Sequence, residues 1–212
     1  MRARARSCAI AFAVACVAGC SAKTADLDAF LGPPPGTVYV YKHTGESNPR
    51  VTYFEGVSAP GPASVLVRVQ TRDATDRPEQ VRVLGAATQS EFAVQDGALV
   101  ERHLGRIVLK LPSSGTVSWK DTVDNVPGPP EAPRFHCSAT APVSKEILGK
   151  ERLTVEATCD LDVGKGATFR EVTVYAAGIG MAEQTESVID PAAPPGGLPP
   201  RRLELIAVQA VK

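Results

Sequence analysis

Cysteine is the residue type whose chemistry can be read most directly from its positions in this 212-residue chain. Cys8, Cys16 and Cys20 lie near the N-terminus, whereas Cys137 and Cys159 lie far along the chain. A thiol can be alkylated to a thioether, oxidised with a second thiol to a disulfide, or bound to a metal ion. The residues around each cysteine therefore indicate which of these reactions it undergoes.

Cys20 follows an apolar segment of the kind that directs export. Arg2, Arg4 and Arg6 precede an uncharged apolar stretch of 12 residues, 8–19, which matches the basic and apolar regions of a signal peptide. The stretch is too short to cross a bilayer as a helix, which needs about 20 residues. The small side chains before Cys20 leave room for a peptidase at the preceding bond.

The sequence VAGC at 17–20 resembles the lipobox of bacterial lipoproteins. This resemblance implies cleavage before Cys20, lipidation of its thiol, and attachment to the membrane through acyl chains such as palmitate. Cys8 and Cys16 would be removed with the signal peptide. Because Ser21 is not an acidic retention signal, the resemblance also implies the periplasmic side of the outer membrane in a host with two membranes. The alternatives are a conventional signal peptide and an unprocessed N-terminal anchor.

Cys137 and Cys159 are predicted to form a disulfide, as is usual for an even pair in an exported protein. They are equidistant from position 148, beside the turn signal Leu148-Gly149, so a hairpin would place them opposite each other. Closing this loop would contribute about 3 kcal/mol. Free thiols and a metal site with His136 and Asp160 are the alternatives, although strand alternation puts those two residues on the faces opposite their cysteine neighbours.

The charge balance excludes a strongly basic surface. Three of the 23 basic residues and none of the 23 acidic residues lie in positions 1–19, so the mature chain would carry 20 against 23, a net charge of −3. A chain with this balance has no basic patch of the kind that binds nucleic acid, and no nucleic-acid partner is expected.

Catalytic motifs are not found, and no catalytic residue, metal ligand or cofactor is assigned. The three histidines, His43, His103 and His136, do not form a His-Glu-x-x-His or His-x-His arrangement. The mature chain also has no Gly-x-Ser-x-Gly or Ser-x-x-Lys motif. A hydrolase site would have to be assembled in three dimensions, for example from His43, His103 and an acidic neighbour.

Three aromatic residues are candidates for lining a ligand cleft: Tyr39 and Tyr41 in TVYVYKH, and Trp119 in TVSWKDT. The alternative is that they are core or cross-strand partners, the commoner role of aromatic residues on strands.

The elements that must position these residues are strands. In SVLVRVQTR the residues Val65, Val67 and Val69 alternate with mainly polar ones, and a similar alternation recurs in RLTVEATC and in REVTVYA. IVLKL and RRLELIAVQAV are two further β-prone runs. About ten short strands are predicted, with turns at signals such as Asp96-Gly97 and with proline-rich loops at 58–63, 126–133 and 190–200. We expect the faces that carry the following residues to converge on a common interior: Val65, Val67, Val69, Val172, Val174, Leu203 and Leu205.

The order of the segments GTVYVYK, IVLKLP, VSWKD, KEILGKERLTVEATC, EVTVYAAGIGMAEQ and LELIAV is similar to that of a family of exported β-domains without an established activity. These domains look like relatives of the Lol-type lipoprotein carriers. The resemblance implies an all-β fold with one strongly curved antiparallel sheet, a half-barrel around an apolar interior, with a β-sandwich as the second choice.

We therefore expect a signal peptide at 1–19, a lipidated N-terminus and tether at 20–36 and a β-rich domain at 37–212. The expected function is that of a non-enzymatic envelope lipoprotein of the binding or assembly type. Its partners would be the membrane, through the lipid, and either an apolar ligand or a segment of another envelope protein. The alternative is an extracytoplasmic hydrolase.

Overall fold

The computed structural model of the chain describes residues 26–46, 50–73, 86–122, 134–164, 166–192 and 199–211. Cys20 and the predicted signal peptide lie outside the described residues, so lipidation stays a prediction. The proline-rich loop at 126–133 also lies outside them.

Strands dominate the described part of the chain. They are β1 Thr37–Thr44, β2 Arg50–Ser58, β3 Ser64–Asp73, β4 Thr88–Gln95, β5 Ala98–Glu101, β6 Arg106–Leu109, β7 Thr116–Thr122, β8 Arg134–Thr140, β9 Val143–Ile147, β10 Lys150–Gly164, β11 Ala167–Ala176, β12 Gly180–Ile189 and β13 Arg201–Ala210. One 3₁₀ turn, Leu27–Phe30, precedes them. Among the described residues there is no α-helix, and none of the helical structure there is long and apolar enough to cross a membrane.

All strands belong to one antiparallel sheet. Their order is β6-β5-β4-β3-β2-β1-β13-β12-β11-β10-β8-β7, and β9 pairs with the first part of β10. The first and last strands, β1 and β13, pair at the middle of this order and join two halves, β2 to β6 on one side and β12 to β7 on the other. The predicted all-β class with a single sheet is confirmed, and the sandwich alternative is not adopted.

The sheet curves until its two edge strands approach each other. The indole Nε1–H of Trp119 on β7 donates to the carbonyl oxygen of Ile107 on β6 at 3.2 Å. No backbone pairing joins β6 to β7 among the described residues, so the sheet stays open and does not close into a barrel. This is the half-barrel that the resemblance implied.

The hairpin predicted around position 148 is confirmed. Leu148 and Gly149 have φ angles of 51° and 72°, as a tight two-residue turn between β9 and β10 requires. Asp96 and Gly97 make a similar turn between β4 and β5, with φ angles of 50° and 72°.

The disulfide between Cys137 and Cys159 is also confirmed. Cys137 on β8 and Cys159 on β10 are directly opposite each other in the sheet, with their Cα atoms 4.1 Å apart. His136 and Asp160 are the next pair along the ladder and therefore point to the other face, where Asp160 Oδ1 accepts a hydrogen bond from Arg170 Nε at 2.7 Å. Their placement leaves the predicted metal alternative without its ligand set.

Residues 26–34, part of the predicted tether, lie inside the curve of the sheet. We call them the N-terminal segment. Phe30 is only 1% exposed and packs in a core cluster with Leu99, Trp119 and Val155. The amide of Gly178 donates to the carbonyl oxygen of Ala29 at 2.6 Å and fixes this segment to the turn between β11 and β12. The chain therefore fills part of its own concave side.

The predicted inner faces are correct for β3 and wrong for β11. A side chain added at Gly32, in the N-terminal segment, would contact Val67 at 3.5 Å and Val65 at 3.7 Å, so these valines face inward. On β11, however, it is Tyr175 that joins the core cluster of Phe30. Val172 and Val174 therefore point to the convex face, because alternate residues of a strand lie on opposite sides of a sheet.

Candidate ligand-binding cleft

A cleft of about 650 Å³ lies between the two halves of the sheet. Its lining residues come from β2 to β6 on one side and from β11 and β12 on the other. Since these strands are separated in the sheet by β1 and β13, a space lined by both groups must lie on the concave side. We call it the concave cleft. Its volume is within the range of about 300–1,000 Å³ that is usual for small-molecule sites.

The floor of the concave cleft is apolar. Phe54, Phe92, Tyr175 and Met181 line it, and the same four residues line a smaller cavity of about 50 Å³ that reaches Phe30 in the N-terminal segment. Burial is the main reason why the pKa of the Tyr175 hydroxyl is raised, with Glu171 a smaller cause, so this side chain stays uncharged at neutral pH.

One wall of the concave cleft carries a nearly buried ion pair. Arg106 on β6 donates through Nη2 to Oε1 of Glu171 on β11 at 2.7 Å, and the two side chains are 15% and 13% exposed. The guanidinium of Arg106 also lies over the ring of Phe135, 4.6 Å from its centroid. These contacts hold the β6 edge against the opposite half of the sheet.

Glu101, at the end of β5, is the most deeply buried acidic residue of the concave cleft. Its side chain lines the cleft although the residue is only 6% exposed. Its direct neighbours in the sheet are Phe92 on β4 and Arg106 on β6. The Oε1 atom of Glu101 has no hydrogen-bond partner among the described residues. Such an atom in a buried position is unusual, since buried polar groups are nearly always satisfied.

A second, smaller cleft of about 240 Å³ surrounds His43 and Glu46. His43 Nε2 and Thr52 Oγ1 are 2.7 Å apart, and Thr52 Oγ1 lies 2.8 Å from Thr71 Oγ1. On the other side of the ring, Nδ1 of His43 is 3.7 Å from Glu46 Oε1. Burial is the main reason why the pKa of His43 is lowered.

This second cleft has the residue types of a hydrolase, but none of the described residues that line it offers an accessible nucleophile. Thr52 is 3% exposed, and Thr71 occupies the other side of its hydroxyl. His103 is an exposed residue at the rim of the concave cleft, whereas His43 lines the smaller one. The two histidines of the predicted hydrolase are therefore not in one cleft. Among the described residues no group of three or more His, Cys, Asp or Glu side chains is placed to hold a metal ion.

The aromatic residues predicted from the sequence lie in the core. Tyr41 is 1% exposed, and its hydroxyl donates to the carbonyl oxygen of Met181 at 2.6 Å. Tyr39 is buried beside it in the same cluster, and Trp119 is buried at the β6–β7 contact. Tyr41 lines the 50 Å³ cavity and Trp119 lines an open cleft of about 550 Å³ beside the disulfide, but none of the three lines the concave cleft.

Sequence reasoning did not single out Glu101, Arg106 or Glu171. The available signal was a charged residue at an inward position of an alternating strand, as Glu101 is in ALVE and Glu171 is in REVTVYA. That signal requires knowledge of which face is inward, and the alternation alone does not supply it.

No protein-family model and no curated protein matches this chain. Two solved structures are similar to it. One, from Parabacteroides distasonis and described as a putative lipoprotein, is 11% identical with a TM-score of 0.46 and covers 85% of this chain and 98% of that chain. The other, from Bacteroides fragilis and described as a putative exported protein with a YmcC-like fold, is 10% identical with a TM-score of 0.46 and covers 85% of this chain and 99% of that chain. Function has to be inferred from the residues of this chain.

Proposed function

We propose that the chain is a membrane-anchored envelope lipoprotein that binds a ligand in the concave cleft. The observation that carries the binding role is the cleft itself, an open space of about 650 Å³ with an apolar floor and polar walls. Its volume suits a small molecule, whose apolar part the floor would cover and whose polar groups the walls would orient. The envelope location and the anchor are supported by the predicted signal segment at 1–19 and by the cysteine that follows it, Cys20.

The floor favours a ligand with an apolar part. Phe54, Phe92 and Met181 would cover hydrocarbon, and removal of apolar surface from water contributes about 25 cal/mol per Å². An apolar small molecule fits this site better than a strand of a partner protein, because the N-terminal segment already occupies part of the concave side.

Titration with the uncharged fluorophore N-phenylnaphthylamine tests this function. The protein is the unlipidated mature chain, residues 20–212 with Cys20→Ser, produced in an oxidising compartment so that the disulfide forms. We expect saturable fluorescence enhancement with a dissociation constant on the order of micromolar. The substitution Ser90→Trp places a large side chain on the cleft wall and should weaken binding about tenfold or more.

Ser144→Trp is the matched control, because Ser144 is exposed on β9 and does not line the concave cleft. Its affinity for the fluorophore should equal that of the parent chain. Absence of saturable binding to the parent chain would contradict a ligand-binding role, and equal loss in both tryptophan variants would place the site elsewhere.

A further inference from the structure

The buried carboxylate oxygen of Glu101 indicates what the ligand of the concave cleft carries. This inference rests on the proposed binding function. Glu101 is 6% exposed and lines the cleft, and its Oε1 atom has no hydrogen-bond partner among the described residues. An acceptor that has lost its water and gained no donor costs free energy until a ligand supplies the donor.

The charges around the cleft determine which kind of donor fits best. Apart from Tyr175, which stays uncharged, the ionisable residues in the described lining are Glu101, Arg106, Glu171 and His103. Arg106 makes two contacts with the Glu171 carboxylate, at 2.7 and 3.4 Å. With formal charges and a neutral histidine, the described lining residues have two carboxylates against one guanidinium, an excess of one negative charge. A cationic donor balances this charge, and hydrogen bonds between charged groups are roughly twice as strong as those between neutral ones.

The side chains next to Glu101 also suit a cation. Phe92 is the direct cross-strand partner of Glu101, and both line the cleft. Phe54 and Tyr175 line the same space. Aromatic ring faces attract ammonium groups, and the attraction increases where water is excluded.

We propose that the concave cleft binds an amphiphilic primary amine, with its ammonium group on Glu101 and its hydrocarbon part on the floor of Phe54, Phe92 and Met181. One ammonium N–H donates to the carboxylate of Glu101. The remaining N–H groups point toward the open mouth of the cleft, where water can satisfy them. An uncharged alcohol of the same length would place its single O–H on Glu101 but leave the charge of the cleft unbalanced.

Competition between two ligands of equal length tests the proposal. Dodecylamine and dodecanol, each below its aggregation limit, displace N-phenylnaphthylamine from the unlipidated mature chain at neutral pH. We expect dodecylamine to bind about tenfold more tightly than dodecanol. In the Glu101→Gln variant, which keeps the shape of the side chain, the affinity for the amine should fall about tenfold and that for the alcohol should change less than about twofold.

Glu91→Gln is the matched control, since Glu91 lies on β4 next to Phe92, points to the other face and pairs with Arg102. It should keep the preference for the amine. Equal affinities of the parent chain for amine and alcohol would overturn the proposal while leaving the binding function intact. A preference that survives in Glu101→Gln would overturn it as well. If the fluorophore itself does not bind, the binding function fails instead.

Discussion

Burial shifts the pKa values of two side chains on the concave side of this sheet, His43 and Glu186. Burial is the largest cause of the lowered pKa of His43 and of the raised pKa of Glu186, and proximity to Glu171 raises the latter further. Both shifts favour the uncharged form, as expected where water is removed without a full set of charged partners. Opposite shifts for an acid and a base therefore have the same physical origin.

The lowered pKa of His43 predicts a pH dependence of stability. The unfolded chain takes up a proton at His43 near its ordinary pKa of 6.5, whereas the folded chain takes it up only at lower pH. Stability is thus complete above pH 6.5 and decreases as the pH falls through the window below it. We expect His43 to lower the urea midpoint of the unlipidated mature chain between about pH 7.5 and pH 5.5, against the opposite contribution of Glu186.

The variant His43→Gln should lose less stability over the same interval. The glutamine amide can still bond to Thr52 but takes up no proton, and all other titrating groups are shared by the two proteins. If both proteins lose the same stability over this pH interval, the shifted pKa of His43 is not the cause of the pH dependence.

At the scale of elements, the strands and their turns could be predicted from the sequence, but the inner face of each strand could not. Alternation and turn residues located β3 and the β9–β10 hairpin, and the hairpin placed Cys137 opposite Cys159. On β11 the inward positions hold Thr173 and Tyr175 while Val172 and Val174 point outward. Threonine and tyrosine are as typical of strands as valine is, so the local pattern cannot decide which face of β11 points into the concave side.

The N-terminal segment was not predictable as a core element for a different reason. It is short and proline-rich and has no periodicity, and its burial depends on distant strands. A side chain on Gly56 would collide with the carbonyl oxygens of Pro33 and Pro34, and one on Gly180 would approach the carbonyl oxygen of Leu31. The absence of side chains at these two glycines leaves space for the segment.

Gly56→Ala should therefore destabilise the protein by about 1–3 kcal/mol, the usual cost of overfilling a packed interior. The added methyl group meets backbone atoms of Pro33 and Pro34, which cannot move aside as a flexible side chain can. Urea unfolding measures the change. Gly61→Ala is the control, because its methyl group meets only the rotatable hydroxyl of Ser64 at 3.2 Å and should change stability by less than about 0.5 kcal/mol. Equal stability of the two variants would show that the segment does not depend on Gly56.

At the scale of the whole molecule, the concave cleft exists because the sheet curves strongly but does not close. Trp119 and Arg106 tie the β6 edge to the other half through side chains, whereas no backbone ladder joins β6 to β7 in the described part of the chain. The N-terminal segment fills one part of the interior and the cleft remains as the other part. An open half-barrel of this kind combines a rigid frame with an accessible apolar surface, the two features on which the proposed binding function depends.

The proposed attachment to the membrane is testable at Cys20. Lipid transfer needs the thiol of Cys20 as the nucleophile, and a serine hydroxyl is far less readily converted to the reactive anion than a thiol. In the full-length precursor, Cys20→Ser should abolish incorporation of a labelled fatty acid and leave the signal segment uncleaved. Cys16→Ser is the matched control, because Cys16 lies four residues earlier in the segment that is removed, and it should be labelled and processed like the parent chain. Equal labelling of the Cys20→Ser and parent proteins would contradict the lipoprotein assignment, and the cleft would then belong to an exported protein held at the envelope by other means.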